Sequence, residues 1–267
     1  MFRIHFDATD STNEQARRLA AEHPGETLLV TAAEQTTGRG RRGRQWQSPR
    51  GGAWLSFVRP LYRPPTAYVG ASLAAAVAVL RAILRVAPEA TADLRIKWPN
   101  DLLLAKRKIA GILCEQLPSA RTSGATSTPK MGDPTRESGV LIVGVGVNVD
   151  FEMDQLVGEL RHSAASLRST LNRSIPVDAV IDAVVEELVE AITALEENGV
   201  SESLLAAVRA NLADVGSIRT WTSAAGSVTG RICGIDDAGQ LLIEGPSGVV
   251  ACNAGEVLAD PCGDAQA

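Results

Sequence analysis

The spacing of hydrophobic positions changes several times along the chain, and each spacing predicts a different kind of element. Short apolar or alternating runs predict strands, and the continuous apolar run at 139–149, with its two internal glycines, is typical of a central strand. Longer runs with an apolar residue at every third or fourth position predict helices. The predicted strands up to residue 149 are 2–6, 27–33, 53–58, 95–98, 102–104, 109–115 and 139–149. The predicted helices are 12–22, 68–86, 178–198 and 201–212.

Local signals add detail to two of these helices. Ser11 and Glu14 stand at the spacing of a capping box, in which each side chain accepts a hydrogen bond from the backbone of the other residue. The helix at 68–86 is rich in alanine, but it carries Arg81 and Arg85, and a membrane-spanning helix needs about 20 apolar residues. We therefore expect 68–86 to be the core helix of a soluble protein.

The hydrophobic pattern changes at Gly216, where helical periodicity is replaced by short strands separated by turn residues. These strands are predicted at 217–222, 228–235, 241–243 and 249–252, with turns at 236–239 and 245–248. The pattern predicts a small β-barrel or a β-meander of about 45 residues. The expected organisation is a large α/β domain at 1–214, the small domain at 215–258 and a tail at 259–267. The segment 118–139 is mostly Ser, Thr, Gly and Pro, which predicts a mobile loop.

Composition and charge narrow the class of protein. The 267 residues are 45% hydrophobic and 21% charged, close to the usual mix of a globular chain. A net charge of −5 argues against a protein devoted to duplex nucleic acid, which is normally basic. The four cysteines are scattered, which argues against zinc and against a disulfide framework, and the N-terminus lacks the apolar core of a signal peptide. We expect a cytoplasmic protein with reduced thiols and no membrane span.

Two basic segments carry the first candidate chemistry. Residues 38–44 alternate arginine with glycine, and glycines let a backbone approach a ligand while arginines donate paired hydrogen bonds to phosphate or carboxylate. This composition predicts an anion-binding loop, although a solvated basic loop would have the same residues. In the segment 97–101, a lysine, an asparagine and an aspartate flank Trp-Pro after a strand, and Lys108 stands at the start of another strand. Together the two segments indicate a site for a polyphosphate and its metal ion.

The glycines Gly144 and Gly146 do not form a dinucleotide-binding motif. No third glycine follows at G-x-G-x-x-G spacing, and no helix is predicted there. The chain also lacks the P-loop pattern G-x-x-x-x-G-K-[ST]. Glycines inside a central strand instead mark the close approach of a ligand or of another backbone, and Asn148 follows them as a polar side chain at the strand end.

Five segments, taken together and in this order, resemble the motifs of the biotin protein ligase family. They are Ser11-Thr12-Asn13; Gln35 with Gly38-Arg39-Gly40-Arg41, Gly43-Arg44 and Trp46; Lys97-Trp98-Pro99-Asn100-Asp101; Lys108-Ile109-Ala110-Gly111-Ile112; and Gly144, Gly146 and Asn148. The resemblance implies an α/β (α+β) catalytic domain related to class II aminoacyl-tRNA synthetases and lipoate ligases, followed by an SH3-like barrel. It also implies two reaction steps. The biotin carboxylate attacks the α-phosphate of ATP, giving biotinyl-5′-AMP and pyrophosphate, and a carrier-domain lysine then attacks the mixed anhydride.

The same resemblance implies roles for individual residues. Those implied for biotin are Ser11, Thr12, Asn13, Gln35, Arg39, Gly40, Arg41, Lys97 and Gly111. Those implied for ATP are Arg41, Trp46, Asn100, Asp101 and Asn148, with Asp101 also as a ligand of Mg²⁺. The implied catalytic residues are Arg41, Lys97 and Lys108, because fixed cations stabilise charge at a transferring phosphorus. The arginine-rich loop would also close over the mixed anhydride and exclude water.

Partners and alternatives follow from the same comparison. The implied partner is the biotin carboxyl carrier domain of acetyl-CoA carboxylase or of a related carboxylase, and a homodimer is left open. Because the first motif begins at Ser11, we expect neither the N-terminal helix-turn-helix domain nor the specific DNA binding of some family members. A lipoate or octanoate ligase is the nearest alternative, although a linear acyl chain needs fewer polar contacts than the Ser-Thr-Asn and Gln set offers. A nucleic-acid-binding regulator is the second alternative, and the net charge opposes it.

Overall fold

The computed structural model describes residues 1–118, 139–224 and 226–258. The predicted mobile loop at 118–139, apart from its two end residues, and the predicted tail at 259–267 lie outside these described residues. The larger sheet contains β1 (Phe2–Phe6), β2 (Leu28–Ala32), β3 (Gly52–Leu61), β4 (Leu94–Lys97), β5 (Asp101–Leu104), β6 (Arg107–Pro118) and β7 (Gly139–Asn148). The smaller sheet contains β8 (Ile218–Ser223), β9 (Gly226–Ile235), β10 (Leu241–Gly245), β11 (Gly248–Cys252) and β12 (Glu256–Val257). The helices are α1 (Thr12–Glu22), α2 (Ala71–Val86), α3 (Leu160–Ser163), α4 (Leu167–Leu171), α5 (Val177–Asn198) and α6 (Glu202–Asn211).

The seven strands of the larger sheet follow the order β1-β2-β3-β7-β6-β5-β4. The β1–β2 pair is parallel, and the other pairs are antiparallel. The strand β7 lies in the middle of this order, which confirms the central strand predicted from its apolar run. Register then brings glycines together, because Gly146 of β7 lies opposite Gly111 of β6 and opposite Trp54 of β3.

Helices cover both faces of the larger sheet. On one face α1 packs Ala16 and Ala20 against Leu28, Val58 and Ile142. On the other face α2 and α5 form the main core, and the many small alanines of α2 let the two helices approach closely. Within the described residues, Pro65–Val86 is the one segment long and apolar enough to span a membrane, but 67% of its apolar window is buried inside the fold. Its burial identifies it as a core helix, as predicted.

Several predicted boundaries differ from the structure for identifiable reasons. The helix expected from residue 68 begins at Ala71, because Gly70 adopts φ 93° and separates α2 from a short 3₁₀ turn at Pro65–Tyr68. The predicted capping box is wrong: Ser11 precedes α1, but its side chain makes no capping hydrogen bond. The sequence also missed α3 and α4, which are too short to show a helical period.

The C-terminal strands form an open antiparallel sheet in the order β11-β10-β9-β8-β12, in which β8 to β11 follow one another as a meander. The meander expected from the sequence is therefore confirmed, and the sheet does not close into a barrel in the described part of the chain. The sheet packs directly on the large domain. Ile232 and Ile243 belong to the same hydrophobic cluster as Leu73 of α2 and Leu205 of α6. The two parts of the chain therefore share one core, and the domain boundary at residue 214 stays a prediction.

Candidate functional site

A cavity of about 840 Å³ lies against the larger sheet, lined by residues of β3 to β7 and by the loop Gly38–Trp46, which we call the arginine loop. Every residue that the sequence analysis assigned to biotin, to ATP or to catalysis lines this cavity. The volume lies in the usual range of ligand pockets, roughly 300–1,000 Å³. The fold thus brings together residues that are up to 137 positions apart along the chain, from Ser11 to Asn148.

The cavity is positively charged although the whole chain carries −5. Nine lysine and arginine side chains line it, against four aspartate and glutamate side chains. A concave surface with an excess of one sign of charge raises the local concentration of the oppositely charged ligand. This excess favours an anionic ligand such as a carboxylate or a polyphosphate.

The N-terminus of α1 forms one polar end of the cavity. The Gln35 side chain accepts hydrogen bonds at Oε1 from the Thr12 backbone N (2.8 Å) and from Thr12 Oγ1 (3.2 Å). Its Nε2 donates to Ser48 Oγ at 2.7 Å. Gln35 thereby takes the capping role that the sequence had given to Ser11. The Ser11 hydroxyl, in a residue only 2% exposed, has no hydrogen-bond partner within 1–118, 139–224 and 226–258, which leaves it available to a ligand.

Asn13 lies behind this end and is fixed on three sides. Its Nδ2 donates to Glu115 Oε2 at 2.9 Å, and its Oδ1 accepts from Ser56 Oγ at 2.6 Å. A side chain at Gly144 would overlap Asn13 Oδ1, so glycine in the central strand makes room for the asparagine. The close approach predicted for the strand glycines is therefore real, and it involves a side chain of the same protein.

The arginine loop is a narrow hairpin. The Trp46 backbone N donates to Gly38 O at 2.8 Å, and the Gly40 backbone N donates to Arg44 O at 2.7 Å. The turn at its tip uses left-handed backbone at Arg42 (φ 57°) and Gly43 (φ 75°), a conformation that glycine adopts without strain.

Two arginines of this loop have different surroundings. The Arg41 guanidinium donates to Asn100 Oδ1 at 2.7 Å, and its burial lowers its pKa from the ordinary arginine value. An arginine is still charged at neutral pH after such a decrease, so Arg41 is a partly desolvated cation at the cavity wall. Arg39 instead pairs with Glu14 and Glu115 at the edge of the cavity.

Lys97, Asp101 and Lys108 meet at the ends of β4, β5 and β6. Lys97 lies directly opposite Asp101 in the β4–β5 pair, and Lys108 Nζ is 2.7 Å from Asp101 Oδ2. Asp101 Oδ1 is buried without a hydrogen-bond partner among the described residues. Within the same residues Lys97 has no ion-pair partner, so its ammonium group is available to a ligand.

Trp46 lies flat against the sheet at the nucleotide end expected from the sequence. Side chains at Gly111 and Gly146 would each approach the Trp46 ring to 2.8 Å, so these two glycines provide the surface on which the indole rests. Lys108 Nζ is 5.0 Å from the ring centroid, a cation–π distance. Trp46 Nε1 is buried and has no partner among the described residues.

The two predicted asparagines use their amide nitrogens on the protein backbone. Asn100 Nδ2 donates to Ile112 O, and Asn148 Nδ2 donates to Ala165 O, each at 2.9 Å. Asn148 is only 3% exposed, yet it lines the cavity. These bonds fix the orientation of each amide, so each can hold a ligand in one defined position.

The sequence analysis missed residues that complete the site. Glu256 of β12 pairs with Arg44 at 2.6 Å and with Arg42 at 3.7 Å, so the small sheet contacts the arginine loop directly. Trp98, to which the motifs gave no contact, donates from Nε1 to Gly239 O, in the turn between β9 and β10, at 3.0 Å. Glu115 and Ser56 were also missed. Each could have been noticed as a polar residue in an otherwise apolar strand, Glu115 near the end of β6 and Ser56 in the middle of β3.

Metal binding by protein groups alone is not supported in the described ranges. Nowhere in 1–118, 139–224 and 226–258 do three or more His, Cys, Asp or Glu side chains cluster closely enough to hold an ion. Mg²⁺ typically binds one or two carboxylates together with substrate phosphates and waters. The unpartnered Oδ1 of Asp101 in a cationic cavity fits that arrangement.

Comparisons with known proteins agree along the whole chain. Residues 5–128 match the Biotin/lipoate A/B protein ligase family, and residues 216–258 match the Biotin protein ligase C terminal domain. The chain is 32% identical over 255 residues to the Biotin--[acetyl-CoA-carboxylase] ligase of Paracoccus denitrificans, which covers 94% of this chain and 97% of that protein. It is also 32% identical over 259 residues to the Bifunctional ligase/repressor BirA of Bacillus spizizenii, with 92% of this chain and 70% of that protein covered.

The fold agrees with these relatives. A biotin protein ligase of Aquifex aeolicus, solved in complex with biotin and ATP, superposes with a TM-score of 0.77 at 22% identity, covering 97% of this chain and 99% of that one. The order of the motifs, the residues lining the cavity, the identity to relatives over most of the chain and the fold thus all indicate the same protein family. The chain belongs to the biotin protein ligases of the Biotin/lipoate A/B protein ligase family.

Proposed function

We propose that this chain is an ATP-dependent biotin protein ligase, which forms biotinyl-5′-AMP and transfers biotin to a lysine of a biotin carboxyl carrier protein. The observation that carries the proposal is one cationic cavity lined at once by all of the residues that the motifs assign to biotin, to ATP or to catalysis. A carboxylic acid and a nucleotide are both anionic, and both reactants of the first step would meet there.

In the first step we assign the polar end of the cavity to the ureido ring of biotin. The free Ser11 hydroxyl, with Thr12, Asn13 and Gln35, offers the placed hydrogen-bonding groups that such a ring needs in an otherwise apolar pocket. Arg39, Gly40 and Gly111 would border the carboxylate end. Such placement brings the attacking oxygen close to the α-phosphate, which is where orientation contributes most to the rate.

The catalytic cations are assigned to Arg41, Lys97 and Lys108. They reach the cavity from three separate elements, so they can surround the pentacoordinate phosphorus of the transition state and stabilise its negative charge. Trp46 would pack on the adenine, with Asn100 and Asn148 as its polar contacts. Asp101 would hold Mg²⁺ through its unpartnered oxygen, and the ion would supply positive charge to the triphosphate.

The second step needs protection of the mixed anhydride until the carrier lysine arrives. The arginine loop covers the cavity and its hairpin carries three glycines, which suits a segment that closes on the intermediate and opens for the carrier. The proposed acceptor is the carrier domain of acetyl-CoA carboxylase or of a related carboxylase. That partner places the enzyme in the cytoplasm, and we propose that location.

The test is ATP–pyrophosphate exchange with the purified chain. We expect exchange that depends on both biotin and Mg²⁺, and little exchange with lipoate or octanoate. The polar groups around Ser11 favour biotin over these acids, because a linear acyl chain would leave buried polar atoms without partners. Exchange supported by lipoate or octanoate but not by biotin would reject the proposal.

A further inference from the structure

Four charged side chains form a compact cluster at the edge of the cavity, and none of the sequence motifs accounts for it. Arg17 Nη2 is 2.9 Å and Arg39 Nη2 is 3.4 Å from the same oxygen, Oε1 of Glu115. Glu14 completes the cluster: its carboxylate pairs with Arg39 and lies 3.7 Å from Arg17 Nε. Two residues of the cluster come from α1, one from β6 and one from the arginine loop.

Glu115 joins this cluster to the polar end of the cavity. Its second oxygen, Oε2, accepts from Asn13 Nδ2 at 2.9 Å, and the opposite side of that amide accepts from Ser56. One carboxylate therefore contacts Asn13, from the Ser-Thr-Asn set, and Arg39, from the arginine loop. The side chain is only 18% exposed, so these interactions are partly shielded from water and salt.

We propose that Glu115 is a positioning residue of the ligase, which orients the Asn13 amide and holds the arginine loop through Arg39. The inference rests on the proposed function, since it names a residue that acts on the same site. Glu115 is not assigned a contact with biotin or ATP. It acts through Asn13 at one oxygen and through Arg39 at the other.

The chemistry of a carboxylate explains both effects. An ionised carboxylate only accepts hydrogen bonds, so the NH₂ group of Asn13 must face Glu115 and its oxygen must face Ser56. The same negative charge balances Arg17 and Arg39, which lie next to each other. If that charge is removed, Glu14 alone faces two guanidinium groups, and of the two arginines Arg39 lies in a loop whereas Arg17 is held in α1. We expect Arg39, and the loop with it, to be released.

The first test measures the loop directly and does not require activity. Trypsin cleaves after arginine, and the loop offers Arg39, Arg41, Arg42 and Arg44. In the ligand-free protein, we expect Glu115→Gln to be cleaved within the loop at least about threefold faster than the wild type, because local opening exposes the sites. Mass spectrometry identifies the cut. Glu115→Asp keeps the charge and should stay close to the wild type. Equal cleavage of the wild type and Glu115→Gln would overturn the proposal.

Glu196→Gln is the matched control. The Glu196 side chain is 13% exposed and also accepts from one arginine and one neutral group, Arg59 Nη2 (3.1 Å) and Tyr68 Oη (2.7 Å), but it does not line the cavity. Its substitution should leave loop cleavage unchanged. If both variants accelerate loop cleavage equally, loss of a buried carboxylate anywhere is sufficient and Glu115 has no special role.

The second test uses the reaction. For Glu115→Gln we expect kcat/KM for biotin in exchange to fall about tenfold, the scale of one charged hydrogen bond, with a smaller change in KM for ATP. Adding Arg39→Lys to Glu115→Gln should cost less than the sum of the two single effects, because both act through one contact. Additive losses would overturn the coupling. A wild type without biotin-dependent exchange would reject the proposed function, while the trypsin result would still decide the position of the loop.

Discussion

Arg41 illustrates how much of the site depends on single side chains. It is the arginine of the loop that is partly buried, and it connects the loop to Asn100 and, at 3.4 Å, to Gly255 O of the small sheet. We expect Arg41→Ala to slow biotinyl-adenylate formation on the order of 10²–10³-fold, the usual loss for one charge-stabilising donor. Single-turnover measurements would give the rate. Arg173→Ala, which removes a surface pair with Glu89, should change it little. An adenylation rate near that of the wild type would remove Arg41 from the mechanism.

The contact between Gly146 and Trp46 leads to a prediction about the end of the cavity that we assign to ATP. A methyl group at Gly146 would lie 2.8 Å from Trp46 Nε1, so the indole must move away from the sheet. We expect Gly146→Ala to raise KM for ATP about tenfold and to shift tryptophan fluorescence, with little effect on biotin affinity. Gly245→Ala is the control, because a methyl group there has only ordinary contacts, the nearest at 3.5 Å. Unchanged ATP kinetics would show that the position of Trp46 does not matter.

At the scale of single residues, the candidate site residues could be predicted from the motifs, but their hydrogen-bond and ion-pair partners could not. The side chains assigned to biotin, to ATP or to catalysis all line the cavity, because their chemical type and spacing can be recognised in the sequence. The capping box failed because Gln35, 23 residues further along, takes the Thr12 backbone N–H. The role of Glu256 could not be predicted because its partner Arg44 lies 212 residues away in the sequence. No local sequence pattern indicates an ion pair over that distance.

At the scale of elements, the arginine loop is held from two sides, by Glu14 and Glu115 on one and by β12 on the other. We expect Glu256→Gln to loosen the β12 side and raise KM for ATP about threefold, since a partly exposed ion pair contributes at most about 1 kcal/mol. Biotin affinity, measured by calorimetry, should be nearly unchanged. Glu152→Gln removes a comparable surface pair with Arg168 and serves as the control. A loss of biotin affinity would contradict this expectation.

The long elements were predicted with their types correct, and α3, α4 and β12, which are among the shortest, were missed. The central strand β7 and the helix α5 carry enough apolar positions to define a period. The two-residue strand β12 and the five-residue helix α4 do not. The start of α2 was misplaced because the left-handed conformation of Gly70 depends on what packs around it, with Val200 beside its Cα.

At the scale of the whole molecule, the positive charge is concentrated in the cavity while the net charge is −5. A duplex of DNA is too wide for this cavity, and the rest of the surface repels it. We expect a gel-shift experiment at about 0.15 M salt to show only weak association that disappears as salt increases. Tight, sequence-specific retention would contradict this expectation and favour a regulatory role.

The general architecture could be predicted from the sequence, but the packing between the two parts of the chain could not. The change in hydrophobic pattern at Gly216 correctly predicted the end of the helical region and the start of the small sheet. The same change suggested a barrel or meander that folds independently. The structure has the meander, but its apolar residues complete the core of the larger domain, a property that depends on packing across the chain.

That shared core limits how the enzyme can be altered by recombination. Gly239, in the turn between β9 and β10, adopts φ 76°, and a side chain there would approach Leu73 Cδ1 to 2.7 Å. The carbonyl of the same glycine accepts the hydrogen bond of Trp98, next to the cavity. A C-terminal segment taken from a relative would have to reproduce this fit or it would disturb the Lys97–Asp101 turn as well as stability. The two parts therefore form one packed unit, and grafting one of them alone would also change the candidate site.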